Sequence, residues 1–164
     1  MPGVEADKIK VIHNGIDLSS FLPAPFELRD ENHILAVGRM VPKKGFGDLL
    51  VACTMLRERG IEFHCTLAGG GVDADLLAKQ CTDLGLDDLV TFVGPVKVDR
   101  VRDLMRTATV FALPCRVAAD QNVDALPTVL LESLASGLPA VSTILSGVPE
   151  IITDGAEGRL VPPD

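Results

Sequence analysis

The sequence predicts an α/β fold: one parallel β-sheet of about six strands, with helices on both faces. Short apolar, β-branched runs alternate along the chain with amphipathic stretches of helical period, which is the rhythm of βαβ units. The 164 residues suffice for a single domain with its own core. Hydrophobic residues make up 47% of the chain, which excludes intrinsic disorder.

The first predicted strand is His33–Val37, ending at Gly38. A helix follows over Phe46–Arg59, with Leu49, Leu50, Ala52, Cys53 and Leu56 on its buried side and Gly60 as its stop. A second strand over Glu62–Ala68 runs into Gly69-Gly70-Gly71, and a second helix over Ala74–Leu84 ends at Gly85. The third strand is Leu89–Val93, the third helix Arg100–Thr107 and the fourth strand Val110–Leu113. A further helix begins at Pro127, a residue suited to a first helical turn, and stops at Gly137. The fifth strand is Pro139–Thr143, a short helix covers Pro149–Thr153, and the sixth strand is Gly158–Val161. Residues 1–30, with Asn14-Gly15-Ile16-Asp17 and Pro23-Ala24-Pro25, read as turn and connector, and residues 31–164 as the domain. The chain stops at Pro162-Pro163-Asp164, directly after a strand with no covering helix, so the sequence is expected to be a C-terminally truncated piece.

Charge and composition exclude several functions. Fifteen Lys and Arg stand against 23 Asp and Glu, a net charge of −8, and no basic run exceeds two residues. That argues against a nucleic-acid partner. Aromatics are only 4%, with neither Trp nor Tyr, too few for a base-stacking surface. Cys53 and Cys81 fall on predicted helices, and Cys65 and Cys115 on predicted strands. Without a Cys-x-x-Cys pair they read as reduced, buried small hydrophobes, which suits a cytoplasmic location. No stretch approaches about 18 apolar residues, and Met1 to Lys10 carries Glu5 and Asp7 with no hydrophobic region behind it, so neither a membrane span nor a signal sequence is expected.

Three features fall at predicted strand ends, where open α/β sheets bind ligands. Gly38-Arg39 followed by Lys43-Lys44-Gly45 offers a guanidinium and an ammonium to a diphosphate, although an exposed basic loop can simply be solvated. Asp124 and Glu132, eight residues apart, bracket the start of the helix at Pro127. They can face one cleft and accept hydroxyl hydrogen bonds from a sugar or ribose, or be a capping Asp and an ordinary helix Glu. Gly69-Gly70-Gly71 is not a Gly-x-Gly-x-x-Gly fingerprint and reads as a tight turn that borders the cleft. There is no Gly-Lys-Ser/Thr loop and no Gly-x-Ser-x-Gly elbow. His13, His33 and His64 stand apart in sequence, with no triad-like neighbours.

Taken in order, these motifs resemble the nucleotide-sugar-binding C-terminal domain of the retaining glycosyltransferases with two Rossmann-like domains. Glycogen synthases, sucrose synthases and many bacterial polysaccharide-building enzymes belong to that family. The resemblance runs through Asn14-Gly15-Ile16-Asp17, Val37-Gly38-Arg39 with Lys44-Gly45, Phe92-Val93-Gly94 and Val110-Phe-Ala-Leu-Pro114. It continues through Leu126-Pro127 to Leu131-Glu132, Gly137-Leu-Pro139 and Ser146-Gly147-Val148-Pro149-Glu150.

The resemblance implies that Arg39 and Lys44 grip the donor diphosphate beside Gly38, as an electrostatic clamp with no metal and no cofactor. It implies that Glu132 holds the ribose hydroxyls and that Asp124, one methylene shorter than the commoner Glu, contacts the transferred sugar. Thr128 would offer an amide or hydroxyl to the phosphate, Pro127 would remove one backbone N–H, and the backbone at Val96 would meet the base. The implied reaction moves a sugar from a nucleoside diphosphate to an acceptor hydroxyl with retention of anomeric configuration. An acceptor glycan or glycolipid would be held by an N-terminal domain absent from this sequence. The piece alone is then expected to bind donor weakly and transfer nothing, in a full-length protein that is cytoplasmic or peripheral at the inner membrane face. Two other classes compete: a non-catalytic nucleotide- or carbohydrate-binding module, and a nucleotide-sugar 2-epimerase domain, which lacks the Gly-x-Pro and Leu-Leu-Glu arrangement in this form.

Overall fold

A computed structural model of the protein describes residues 14–163 together with Lys8, Lys10 and Ile12. His13, most of the Met1 to Lys10 stretch and the terminal Asp164 lie outside the described residues.

Six strands form one wholly parallel sheet: β1 (His33–Val37), β2 (His64–Ala68), β3 (Val90–Gly94), β4 (Val110–Leu113), β5 (Ala140–Thr143) and β6 (Gly158–Val161). Four α-helices connect them: α1 (Phe46–Glu58), α2 (Ala74–Asp83), α3 (Val98–Thr107) and α4 (Thr128–Ala135). The spatial order is β3-β2-β1-β4-β5-β6, so the direction of winding reverses between β1 and β4. Right-handed crossovers then put α1 and α2 on one face and α3 and α4 on the other. The contacts agree: α1 packs on α2, and Ser136 Oγ, just past α4, lies 3.8 Å from Met105 Sδ of α3. This is the Rossmann-like, doubly wound arrangement that the alternation predicts.

The core follows from burial on both sheet faces. Leu35, Ala36, Leu67, Phe111 and Leu113 of the central strands are fully buried against Leu50 and Cys53 of α1 and against Met105 and Leu130 of α3 and α4. All four cysteines are free and buried. Burial pushes the Cys115 thiol up to about 11, and the Cys65 thiol rises on its contact with Cys53 and its burial. Neither is a thiolate nucleophile at neutral pH.

Five predicted details are corrected. Ala52, expected on the buried side of α1, is exposed. The second strand begins at His64 rather than Glu62. Cys115 lies beyond the end of β4, because Pro114 has no N–H to continue the ladder. The short helix at Pro149–Thr153 is a single 3₁₀ turn over Val148–Glu150. Pro127 caps α4 rather than opening it, so Thr128 is the first helical residue. The predicted connector carries two 3₁₀ turns, Leu18–Ser20 and Phe26–Leu28, the first capped by Asp17, whose carboxylate accepts the Ser19 N–H at 3.0 Å.

The glycine triplet is more than a tight turn. The Gly69 N–H donates to Gly94 O and the Met40 N–H to Gly70 O, both at 2.8 Å, so it sews the loops after β1, β2 and β3 together. A Cβ at Gly69, whose φ is +141°, would stand 1.8 Å from Gly38 O. Only glycine permits that approach of the β1 and β2 ends.

Candidate functional site

The site is built where the winding reverses, from the loop after β1 and the long loop from Pro114 to Pro127 after β4. In open α/β sheets this crevice, at the carboxyl ends of the strands, is the ligand position. The two loops are locked together. Gly45 (φ +68°) comes so close to the Pro114 carbonyl that a Cβ would stand 1.8 Å from its oxygen, and Arg116 N–H donates to Lys43 O at 3.0 Å. Arg116 Nη1 also reaches both carboxylate oxygens of Asp48, at 3.0 and 3.2 Å.

Inside this frame Asp124 pairs with two lysines. Lys43 Nζ is 3.0 Å from Asp124 Oδ1, and Lys44 Nζ contacts Oδ2. Only 13% of the Asp124 side chain is exposed, against 16% and 12% for Lys43 and Lys44. Burial pushes the Asp124 carboxyl up, but Lys44 and Lys43 outweigh it, and the net shift is downward. Asp124 is therefore ionised at neutral pH. Lys43 Nζ also donates to Asn122 Oδ1 at 3.3 Å. The Lys44 arm crosses Gly38, with Cε 3.6 Å from where a Gly38 Cβ would stand.

Arg39 is exposed and lines two clefts. One, of about 400 Å³, is walled by Gly38, Gly69, Gly70, Gly71, Pro95 and Val96. The other, of about 430 Å³, is walled by Pro42, Lys43, Ala118, Ala119, Asp120 and Asn122. With Lys43 and Lys44, Arg39 puts three cations against the carboxylates of Asp124 and of Asp120 in the cleft wall, a local excess of one positive charge in a chain that is net acidic.

Thr128 opens α4 one turn before Glu132, so the helix N-terminus faces the end of the same loop. Pro127 has no N–H and its side chain caps nothing, which leaves the Thr128 and Val129 N–H groups, at the start of α4, without an intrahelical acceptor. Glu132 does not join Asp124. Its carboxylate forms no hydrogen bond or ion pair among the described residues, and the charge acting on it is that of Arg102 of α3.

Burial raises the Glu132 carboxyl above its ordinary 4.5, against a smaller opposing effect of Arg102. The folded chain thus holds this proton more tightly than the unfolded one. The associated stability is present below pH 4.5 and is lost as pH rises through the raised folded value. Glu132→Gln is expected to melt higher than the parent at pH 7 and level with it in acid well below pH 4.5. Thermal melts at the two pH values check this, and a lower melting temperature at pH 7 would contradict it.

Of the residues marked from sequence, the structure brings Lys44 and Asp124 into contact and puts Gly38, Arg39 and Val96 around one cleft. Thr128 and Glu132 lie together on α4, apart from that contact. Lys43 is the partner that reasoning from sequence leaves without a role. Its signal was its place beside Lys44, but nothing in sequence shows that adjacent lysines straddle one carboxylate. Lys79 and Glu58 are exposed on the helices, away from this cluster.

Fold and site together define a doubly wound α/β domain with a cationic cluster at its switch point. Comparison with known proteins makes the family plain: the chain belongs to the glycosyl transferases group 1, whose family model matches residues 22–164. It is 36% identical over 164 residues to the amylovoran biosynthesis glycosyltransferase AmsK of Erwinia amylovora, covering 98% of this chain and 40% of that protein. It is 31% identical over 166 residues to the GDP-mannose-dependent alpha-(1-6)-phosphatidylinositol monomannoside mannosyltransferase of Mycobacterium tuberculosis, covering 95% of this chain and 43% of that one. Among solved structures, Anabaena Alr3699/HepE in complex with UDP-glucose superposes with a TM-score of 0.80 at 23% identity, over 98% of this chain and 45% of that chain, a likeness of fold. The chain thus spans about two-fifths of the length of the curated relatives it matches. Among the described residues no helix is long and apolar enough to cross a membrane.

Proposed function

We propose that this chain is the donor-binding part of a retaining glycosyltransferase, which takes a sugar from a nucleoside diphosphate for polysaccharide or glycoconjugate synthesis. The observation that carries the reading is the Lys43–Asp124–Lys44 cluster beside Arg39 at the switch point. A diphosphate brings the charge those cations leave unmatched, and the α4 N-terminus adds N–H donors. The names of the relatives, one in amylovoran biosynthesis and one using GDP-mannose, fit a nucleotide-sugar donor.

In this reading Arg39, Lys44 and Lys43 hold the diphosphate and stabilise its charge as the glycosidic bond to it breaks, so side chains supply what a metal supplies elsewhere. Donor phosphates compete with Asp124 for the lysines, and the freed carboxylate is placed to accept hydroxyls of the transferred sugar. Thr128 contacts a phosphate oxygen, Glu132 takes the ribose hydroxyls and the Val96 backbone meets the base in the glycine-walled cleft. The acceptor glycan or glycolipid is held outside this chain.

Calorimetric titration with UDP-, GDP- and ADP-sugars tests the reading. Weak binding with a preference for one base is expected, without sugar transfer by the chain alone. Failure of every donor to bind would favour a non-catalytic module.

A further inference from the structure

At the end of the sheet opposite the switch point, His33 and His64 open β1 and β2 as register partners. Their rings stack with centroids 4.2 Å apart and an interplanar angle of 21°. Asp30 precedes β1, its backbone fixed by its N–H to Thr107 O at 2.6 Å and by Thr109 Oγ1, which donates to its carbonyl at 2.5 Å. The His33 side chain is 4% exposed, and its Nε2 is 2.9 Å from the buried Thr66 Oγ1. Its Nδ1 is buried with no hydrogen-bond partner among the described residues, and faces Asp30 Oδ2 at 3.6 Å.

That separation is too long for a hydrogen bond. It is close to the spacing of two ligand atoms on one small cation: bonds of ~2.1 Å at a tetrahedral angle place N and O about 3.4 Å apart. One ligand atom from each of Asp30, His33 and His64 lies within 4.8 Å of the others. We propose that these three residues form a binding site for one divalent transition-metal ion of the zinc type, held by His33 Nδ1, the Asp30 carboxylate and a ring nitrogen of His64.

The surroundings fit. In the tautomer that carries its proton on Nε2, His33 donates to Thr66 Oγ1 at 2.9 Å and leaves the Nδ1 lone pair for the ion, the outer-shell arrangement usual for a metal-bound imidazole. Asp30 and His64 are exposed. His64 makes no side-chain hydrogen bond among the described residues, so it can turn out of the stack toward the ion, and the remaining coordination is left to water. Imidazole with carboxylate suits zinc, cobalt or nickel. The ion would tie the start of β1 to β2, far from the cationic cluster, as a staple rather than a reacting centre.

The test titrates the metal-free full chain with Co²⁺, follows the visible spectrum and displaces the ion with Zn²⁺. One ion per chain is expected, with visible bands of low-coordinate cobalt and no thiolate-to-metal band, since the cysteines lie elsewhere. Asp30→Asn and His64→Asn change exposed side chains and are checked for folding by circular dichroism. Each is expected to weaken binding at least tenfold, the lower end of the loss seen for outer-shell changes alone. Zn²⁺ should raise the melting temperature of the parent chain and of neither variant. Absence of stoichiometric binding, a thiolate band, or undiminished affinity in either variant would overturn the site.

Discussion

Lys44→Ala is expected to weaken nucleoside-diphosphate binding by about 100-fold, and Arg39→Ala by a comparable factor. Lys44 is the more enclosed of the two, its ammonium on Asp124 and its arm across Gly38. A charge-assisted hydrogen bond is worth ~1.5–3 kcal/mol, and a tenfold change in affinity is ~1.4 kcal/mol, so one bond of the stronger kind gives the factor stated. The fold should survive, because Lys43 still neutralises Asp124 at 3.0 Å. Calorimetry with UDP, GDP and ADP checks the loss, and thermal melts check the fold. Glu58→Ala, on the exposed side of α1, serves as the control that leaves binding unchanged. Equal affinity in the parent and Lys44→Ala would remove Lys44 from the site.

The largest effect on stability is expected at Arg29, which touches no part of the site. Its guanidinium donates to four carbonyls: Ala108 O at 2.6 Å, Gly137 O at 2.9 Å, Ser136 O at 3.0 Å and Met105 O at 3.3 Å. These oxygens terminate α3 and α4, where a cation also meets the negative helix ends. One side chain thus pins the connector to two helices on the same face. Burial lowers the Arg29 value, yet no protein group replaces these donors if the side chain is removed. The region is partly open to water, which will replace some of the bonds. Arg29→Ala is therefore expected to cost about 2–3 kcal/mol, the worth of one to two charged hydrogen bonds rather than four. At ~2–4 °C per kcal/mol for a chain of this size, the melting temperature falls by roughly 4–12 °C. Arg29→Lys should recover only part of this, since an ammonium cannot span four acceptors. A melting temperature unchanged in Arg29→Ala would contradict the pinning role.

Much of the fold was legible because its signals are local. Leu49, Leu50 and Cys53 at helical spacing, stopped by Gly60, announce α1 to within a residue of its observed end. His33–Val37 stands as one apolar run and is β1 unchanged. Errors fell where one residue's chemistry overrode a continuing pattern. Pro114 ends β4 before Cys115, although the apolar run goes on, and only a 3₁₀ turn forms around Pro149. The site was legible as a set of residue types but not as a set of contacts. Sequence puts Lys44 and Asp124 on different loops, and only the close approach of Gly45 to Pro114 brings them together. Asp124 and Glu132 share a helix entrance, yet one faces the lysines and the other feels Arg102. His33 and His64 stand apart in sequence and stack in space, because strand register, which sequence does not specify, pairs them.

The central claim is that the cationic cluster at the switch point holds the donor diphosphate. It is tested most directly by following the backbone amide resonances of the isotopically labelled chain during titration with the preferred nucleoside diphosphate. The account predicts saturable shifts at Gly38, Arg39, Lys43, Lys44, Val96, Thr128 and Val129, with none at His33 or His64 at the far end of the sheet. Saturable shifts elsewhere with these amides unmoved, or no shifts from any of the three nucleotides, would contradict it.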